Sequence, residues 1–228
     1  MTSNRVTPST HPRPDAIHSA FEDVLIGYWK AKTTEKIGKA HPVCVQLASV
    51  ARQLSESKQV RRFPGVVTKW SAGQGNWATI PWIAALDSRE TVRTSHGVYV
   101  VYLFRADMSG LYLTLNQGTT QVQSEFGKEA HRVLRERAAL LRKHASGLPA
   151  LGFDLTNAIE LRNDSALVRG YEAATVAHKL YERSNVPADT RILEDLAVLL
   201  DVYDKLVPSE RILQAQLRRR AGDSSDEE

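Results

Sequence analysis

Residues 97–118 read GVYVVYLF, then RADMSG, then LYLTLNQG. Both flanking runs are apolar and rich in β-branched and aromatic side chains, and the Asp, Ser and Gly between them are turn formers. The pair is therefore read as an antiparallel hairpin. The same grammar begins earlier, with Val66, Val67 and Trp70 after the break at Pro64 and Gly65, and runs on through IPWIAAL, which follows the glycine-rich turn GQGN. The middle of the chain is committed to a sheet.

On either side the apolar spacing is helical. Ile17, Phe21, Val24, Leu25 and Tyr28 recur on one stripe, with Asp15 placed to cap the first turn. Val43, Leu47, Val50, Ala51 and Leu54 form a second stripe behind Pro42, which suits a first-turn position. Beyond the sheet, EFGKEAHRVLRERAALLRKHASG reads as one helix stopped at Gly147. Residues 166–185, carrying Leu167, Tyr171, Ala174, Val176, Leu180 and Tyr181, read as another, broken by Pro187. A last helix is capped near Asp189, buries Leu193, Leu196, Leu199, Leu200, Val202 and Tyr203, and has a basic extension beyond Pro208. The expected fold is α+β: a small, mostly antiparallel sheet flanked by helices, with an α-helical C-terminal extension. Four segments are expected: a proline-rich flexible arm over 1–14, an α+β domain over 15–155, the helical extension over 156–217 and a charged tail over 218–228.

A composition of 42% hydrophobic and 25% charged residues is that of a soluble globular chain. No apolar run approaches the ~20 residues that a spanning helix needs, so no membrane association is expected. The N-terminus has no secretory pattern, which points to the cytoplasm, or to the nucleoid when bound to DNA. One cysteine, Cys44, excludes an internal disulfide or a multi-cysteine zinc site and is read as a buried bystander. The net charge of +4 understates the body of the protein, because GDSSDEE ends the chain with four acidic residues. A polyanionic partner is permitted.

Catalytic signatures are missing. There is no GxxxxGK[ST] phosphate loop, HExxH, GxSxG or CxxC pair. Only Asp87, Glu90 and Asp107 bring carboxylates near the sheet, and the seven histidines lie on different elements without ligand spacing. GQGN lacks the third glycine of a dinucleotide loop. The reading is a non-enzyme with no cofactor and no metal.

Residues 70–118, WSAGQGNWATIPWIAALDSRETVRTSHGVYVVYLFRADMSGLYLTLNQG, resemble the N-terminal DNA-binding domain of McrB, from a modified-cytosine-dependent restriction system. In that family a GxGN turn leads directly into an IPW strand, then a glycine followed by aromatic and β-branched residues, then a hairpin return. Here these are Gly73, Gly75 and Asn76, then Ile80, Pro81 and Trp82, then 97–104 and 111–118. The resemblance covers about 50 residues strongly and the flanking helices more loosely. It implies a module without GTPase motor or nuclease that binds duplex DNA containing 5-methylcytosine and rotates the modified base into an aromatic and apolar pocket.

By the same resemblance, Trp82 offers a stacking face, Leu103 touches the 5-methyl group and Tyr99 is the intercalating wedge. Gln74 stands where the family can have tyrosine, and Phe153 stands roughly where it has another. Gly73, Gly75, Asn76 and Trp77 would approach the DNA backbone, with Lys58, Arg61, Arg62, Lys69, Arg89, Arg93 and Arg105 as phosphate ligands. Burying one methyl yields about 0.8 kcal/mol, so methyl preference should be modest, about fourfold. A second reading stays open: an oligomeric assembly protein, joined through the C-terminal helices, or a specificity partner of a restriction nuclease without methyl-specific binding of its own.

Overall fold

The computed structural model describes residues 15–223, with side chains as far as Val207. The expected arm over 1–14 and the last residues of the tail lie outside the described residues. Five strands form one antiparallel sheet in simple sequence order: β1 (Val66–Ser71), β2 (Trp82–Asp87), β3 (Val98–Phe104), β4 (Gly110–Gln117) and β5 (Ala177–Glu182). The β3–β4 hairpin is the one expected from its two apolar runs. Its turn is pinned by Asp107, whose carboxylate accepts the Ser109 amide, and by Met108 at φ 58°.

Register partners share a face of a pleated sheet, and the two faces are covered differently. One face carries Thr68, Ile83, Ala85, Tyr102 and Phe104. Three helices pack on it: α1 (Ala16–Thr34), α2 (Pro42–Glu56) and α7 (Asp189–Asp223). Phe21 of α1 sits 5.2 Å from the Tyr102 ring and 5.9 Å from Phe104. Thr68 donates to the Ala51 carbonyl of α2, and Tyr203 of α7 accepts the Asp87 amide. The short α3 (Lys58–Arg61) packs beside α2 and α7.

The opposite face carries Lys69, Ser71, Trp82, Ala84, Tyr99, Val101, Leu103, Tyr112 and Asn116. Its β4 side is roofed by α6 (Ala166–Ala173) and the loop before it: Asn116 donates to the Tyr171 carbonyl, and Tyr112 accepts the Glu160 amide. Next to this roof, α4 (Thr119–Phe126) and α5 (Ala130–Arg142) form a helical pair. The half around Trp82 is bounded by the 94–95 loop, the start of α4 and Tyr171 of α6.

Three expectations are corrected. The helix read over 166–185 ends at Ala173, and Ala177–Glu182 becomes the fifth strand. The reason lies in β4: all eight of its residues are buried, so its outer backbone groups need partners, and 177–182 supplies them. The helix read over 124–147 is two helices, parted at Gly127, whose φ of 50° lies outside the helical range, and a 3-10 turn over Gly127–Glu129; α5 ends at Arg142, ahead of Gly147. Finally, Asp15 does not cap α1. Asp189 does so from the start of α7, its carboxylate accepting the amides of Ile17 at 3.1 Å and His18 at 2.7 Å. Its own amide donates to the Asp15 carboxylate.

One large apolar core spans the sheet and its helices, and a small second cluster of Val122, Ala130, Leu134 and Ala174 lies between α4, α5 and the end of α6. Leu161, Val168, Val176, Leu196 and Tyr203 belong to the same buried cluster as Phe21, Leu47 and Phe104. Cys44 is buried and free, as expected. No helix among the described residues is long and apolar enough to cross a membrane.

Candidate nucleic-acid interface

The GxGN turn is held from below and bare at its tip. Gly73 has φ 116°, and a Cβ there would lie 2.0 Å from the Asn76 carbonyl oxygen, so only glycine closes the turn. Gly75 also has positive φ, 73°, but faces open space. Tyr28 of α1 donates to the carbonyls of Ala72, at 3.2 Å, and Ala78, at 2.8 Å, on either side of the turn. Trp77 is an anchor: its indole packs edge-on against Tyr28 and His41 and donates to the Glu35 carbonyl at 2.9 Å. Gln74, Gly75 and Asn76 are left exposed.

Beside this turn lies a small hollow of about 90 Å³. Its apolar end is built by Trp82 and Leu103, direct partners across β2 and β3, with Val101 and Tyr99 continuing along the same face. Its polar end is built by Thr94 and Ser95 of the β2–β3 loop, Thr119 and Thr120 at the start of α4, and Tyr171 of α6. Trp82, Thr94 and Ser95 also border an open depression of about 600 Å³ that contains Lys69, Ser71, Gln74 and Arg93. The half-buried indole of Trp82 therefore borders both the hollow and the depression.

Tyr99, expected as the wedge, is only 4% exposed. Its hydroxyl donates to the Thr94 carbonyl at 2.9 Å, and burial pushes the phenol above its ordinary pKa. Held in this way, the ring is a wall of the hollow and the brace of the 94–95 loop. Gln74 lies on the outer depression rather than in the hollow. Phe153 is buried elsewhere, beneath the Lys179 ammonium at 4.4 Å from its ring centroid, and does not line the hollow. The aromatic from the C-terminal half is Tyr171. In sequence it sits in a helical apolar stripe and carries no signal separating it from a core residue.

The expected phosphate ligands divide by location. Arg89 is bound to the buried carboxylate of Asp87 at 2.6 Å and to Asp204 of α7. Arg62 pairs with Asp201 at 2.6 Å. Both attach to α7, on the face away from Trp82. Arg105 is buried, donating to the Glu160 carbonyl and the Tyr112 hydroxyl, and holds the roof loop to the sheet. Lys69 and Arg93 remain exposed on the rim of the outer depression, where Lys69 donates to the Val92 carbonyl. Lys58 and Arg61 are exposed on α3.

The site is thus a small aromatic hollow between sheet and loop, next to an open depression that carries Gln74 of the glycine turn and two exposed cations, Lys69 and Arg93. No curated protein matches the chain. A family model described as MrcB-like, N-terminal domain matches residues 23–208, from within α1 to within α7 and including all five strands. The chain therefore belongs to the MrcB-like N-terminal domain family, which is associated with DNA binding and modified-cytosine recognition.

Proposed function

We propose that this domain binds duplex DNA and takes a 5-methylcytosine, rotated out of the helix, into the hollow behind Trp82. One observation carries the reading: Trp82 and Leu103, far apart in sequence, are direct cross-strand partners that close one end of a cavity. In this arrangement the indole stacks on the base and Leu103 meets the 5-methyl group. A base stacked on an aromatic side chain gains roughly 1 to 3 kcal/mol, and flipping costs a few kcal/mol. Phosphate contacts must therefore contribute, and Lys69 and Arg93 on the adjoining depression, with the exposed turn 74–76, are the groups to make them.

Size bears on how the base enters. An apolar cavity of about 150 Å³ holds a benzene ring, whereas this hollow measures about 90 Å³. Entry requires the 94–95 loop or Tyr171 to move outward, which gives the pocket a closed resting form. Gln74, on the exposed tip of the turn, is the side chain positioned to enter the space left in the duplex. The module recognises and does not cut. A nuclease partner would act on the bound DNA, and the C-terminal helices offer the surface for self-association.

The deciding measurement places 2-aminopurine beside 5-methylcytosine in a duplex and follows its fluorescence on titration with the protein. A rise in emission that requires Trp82 supports flipping. Equal binding of methylated and unmethylated duplexes, with no emission change, would overturn the proposal.

A further inference from the structure

The connection between α1 and α2 carries charge that neither the hollow nor the depression uses. Lys36 and Lys39 lie in the loop over 35–41, and both are exposed. The loop itself is fixed. His41 Nδ1 accepts the Val43 amide, so Nε2 carries the proton that it shares with the Glu35 carboxylate at 2.9 Å. The His41 amide donates to the Gly38 carbonyl at 2.9 Å, and Ile37 packs against the main core. Glu35 is thereby engaged with His41, and neither lysine forms an ion pair among the described residues.

Trp77 joins this loop to the glycine turn. Its indole donates to the Glu35 carbonyl at 2.9 Å and lies edge-on to the His41 ring at 4.9 Å. Trp77 directly follows the exposed tip 74–76, and Lys36 directly follows Glu35. The tip and the two lysines are therefore parts of one braced unit. Gln74, at the other end of the tip, borders the depression that holds Lys69 and Arg93.

We propose that Lys36 and Lys39 bind backbone phosphates of duplex DNA, so that the footprint runs from the Lys69 and Arg93 depression across the glycine turn onto the α1–α2 loop. This rests on the duplex-binding part of the reading above and is independent of base flipping. The two charges sit on a backbone that is already ordered, so binding need only fix the lysine side chains. A lysine ammonium meets a phosphate as a point charge and reads no base edge. The loop therefore strengthens binding to methylated and unmethylated duplexes alike.

The test compares wild type with the double variant Lys36→Ala/Lys39→Ala and with Lys58→Ala/Lys205→Ala, which removes the same charge from exposed positions on α3 and α7. Fluorescence anisotropy gives the affinity of each for methylated and unmethylated duplexes from about 50 to 200 mM salt, and circular dichroism checks the fold. Each phosphate contact contributes about 0.9 to the slope of log affinity against log salt. The loop variant should lose roughly two units of slope, so that over this range its affinity falls about tenfold less than that of wild type. Its ratio of methylated to unmethylated affinity should be unchanged, and the α3 and α7 variant should keep the wild-type slope. A wild-type slope in the loop variant would overturn the proposal. Equal reductions in both double variants would assign the effect to net charge and overturn it as well. A wild type that binds neither duplex would remove the duplex-binding reading and this surface with it. The predicted slope change in a protein without methyl preference would remove the flipped-base reading and leave this surface standing.

Discussion

Trp82 and Leu103 face each other across β2 and β3, and the hollow they line shares Trp82 with an open depression bordered by the exposed cations Lys69 and Arg93. The same pleat carries Tyr99 and Val101 on this face and turns Val100 and Tyr102 to the helix-covered side. One register thus supplies both the pocket and the core, and a one-residue slip would exchange them.

Replacement of Trp82 with alanine should remove methyl preference and weaken binding to methylated duplex by roughly 1 to 3 kcal/mol, the range for a lost stacking platform. The indole is half-buried on the open part of the sheet, so thermal unfolding should show a smaller loss than truncation of a fully enclosed aromatic. Unchanged affinity and preference in Trp82→Ala would refute its role.

The two turn glycines should separate. In Gly73→Ala the new Cβ meets the Asn76 carbonyl oxygen at 2.0 Å, so the turn must rearrange, with a loss of about 2 kcal/mol or more. Gly75→Ala meets no atom and bears only the cost of its left-handed backbone, about 1 kcal/mol. Urea unfolding of both variants measures the difference, and equal losses would show that the Gly73 contact relaxes freely.

Cations on the two faces should respond to different assays. Arg93→Ala, on the rim, should flatten the log–log salt dependence of DNA binding by about one unit without changing stability. Arg89→Ala removes three side-chain hydrogen bonds to Asp87, which is 1% exposed, and the contact to Asp204. Arg89 itself is about half exposed, which screens the pair. A stability loss of about 1 to 2 kcal/mol is expected, below the 3 to 5 kcal/mol seen for fully buried pairs, with the salt slope unchanged. A reduced slope in Arg89→Ala would place it on the DNA.

Acid should loosen the β5 edge. His178 is buried on β5 with its ring against Tyr112, and burial lowers its pKa below the ordinary 6.5. The unfolded chain then takes up a proton at a higher pH than the folded protein does. The His178 contribution is complete above pH 6.5 and falls as pH drops through that value toward the lower folded pKa. Asp154, which bridges to His178, adds a second loss at lower pH. Burial raises its pKa, but hydrogen bonds from Asn157 and Thr156 outweigh burial and hold it below the usual carboxylate range. That stability is present above the unfolded carboxylate pKa and is lost as pH falls through the folded one. Urea midpoints should fall between pH 7.5 and 5.5, and His178→Gln should reduce the difference. An identical fall in that variant would assign it to other groups.

Much of the fold was legible because it rests on local periodicity. The alternation in GVYVVYLF and LYLTLNQG placed β3 and β4 within a residue of their observed bounds, and the spacing of Tyr99 and Leu103 put them on one face. The stripes Ile17 to Tyr28 and Val43 to Leu54 emerged as α1 and α2, buried as read. Of the residues read as a site, Trp82 and Leu103 are paired across β2 and β3, and Gln74 of the glycine turn borders a separate depression that also includes Trp82. Arg89 and Arg105 resembled phosphate ligands because a sequence shows charge and not the partner that neutralises it. Tyr171, which lines the hollow, went unseen because it lies outside the segment that carries the motif.

By itself, the sequence determined where the chain alternates with period 2, where it turns, and which residues of each strand share a face, since these depend on neighbours a few positions away. Tertiary structure decided the rest. It turned 177–182 from helical spacing into a strand, because the buried edge of β4 needed hydrogen-bond partners. It capped α1 with Asp189, 172 positions from Ile17. It also left Trp82 half-buried on one face, beside a hollow edged by the 94–95 loop, the start of α4 and Tyr171, while α1, α2 and α7 closed the other. Which face stays open is settled by how helices from both ends of the chain divide the sheet between them, and that division is written in no single segment.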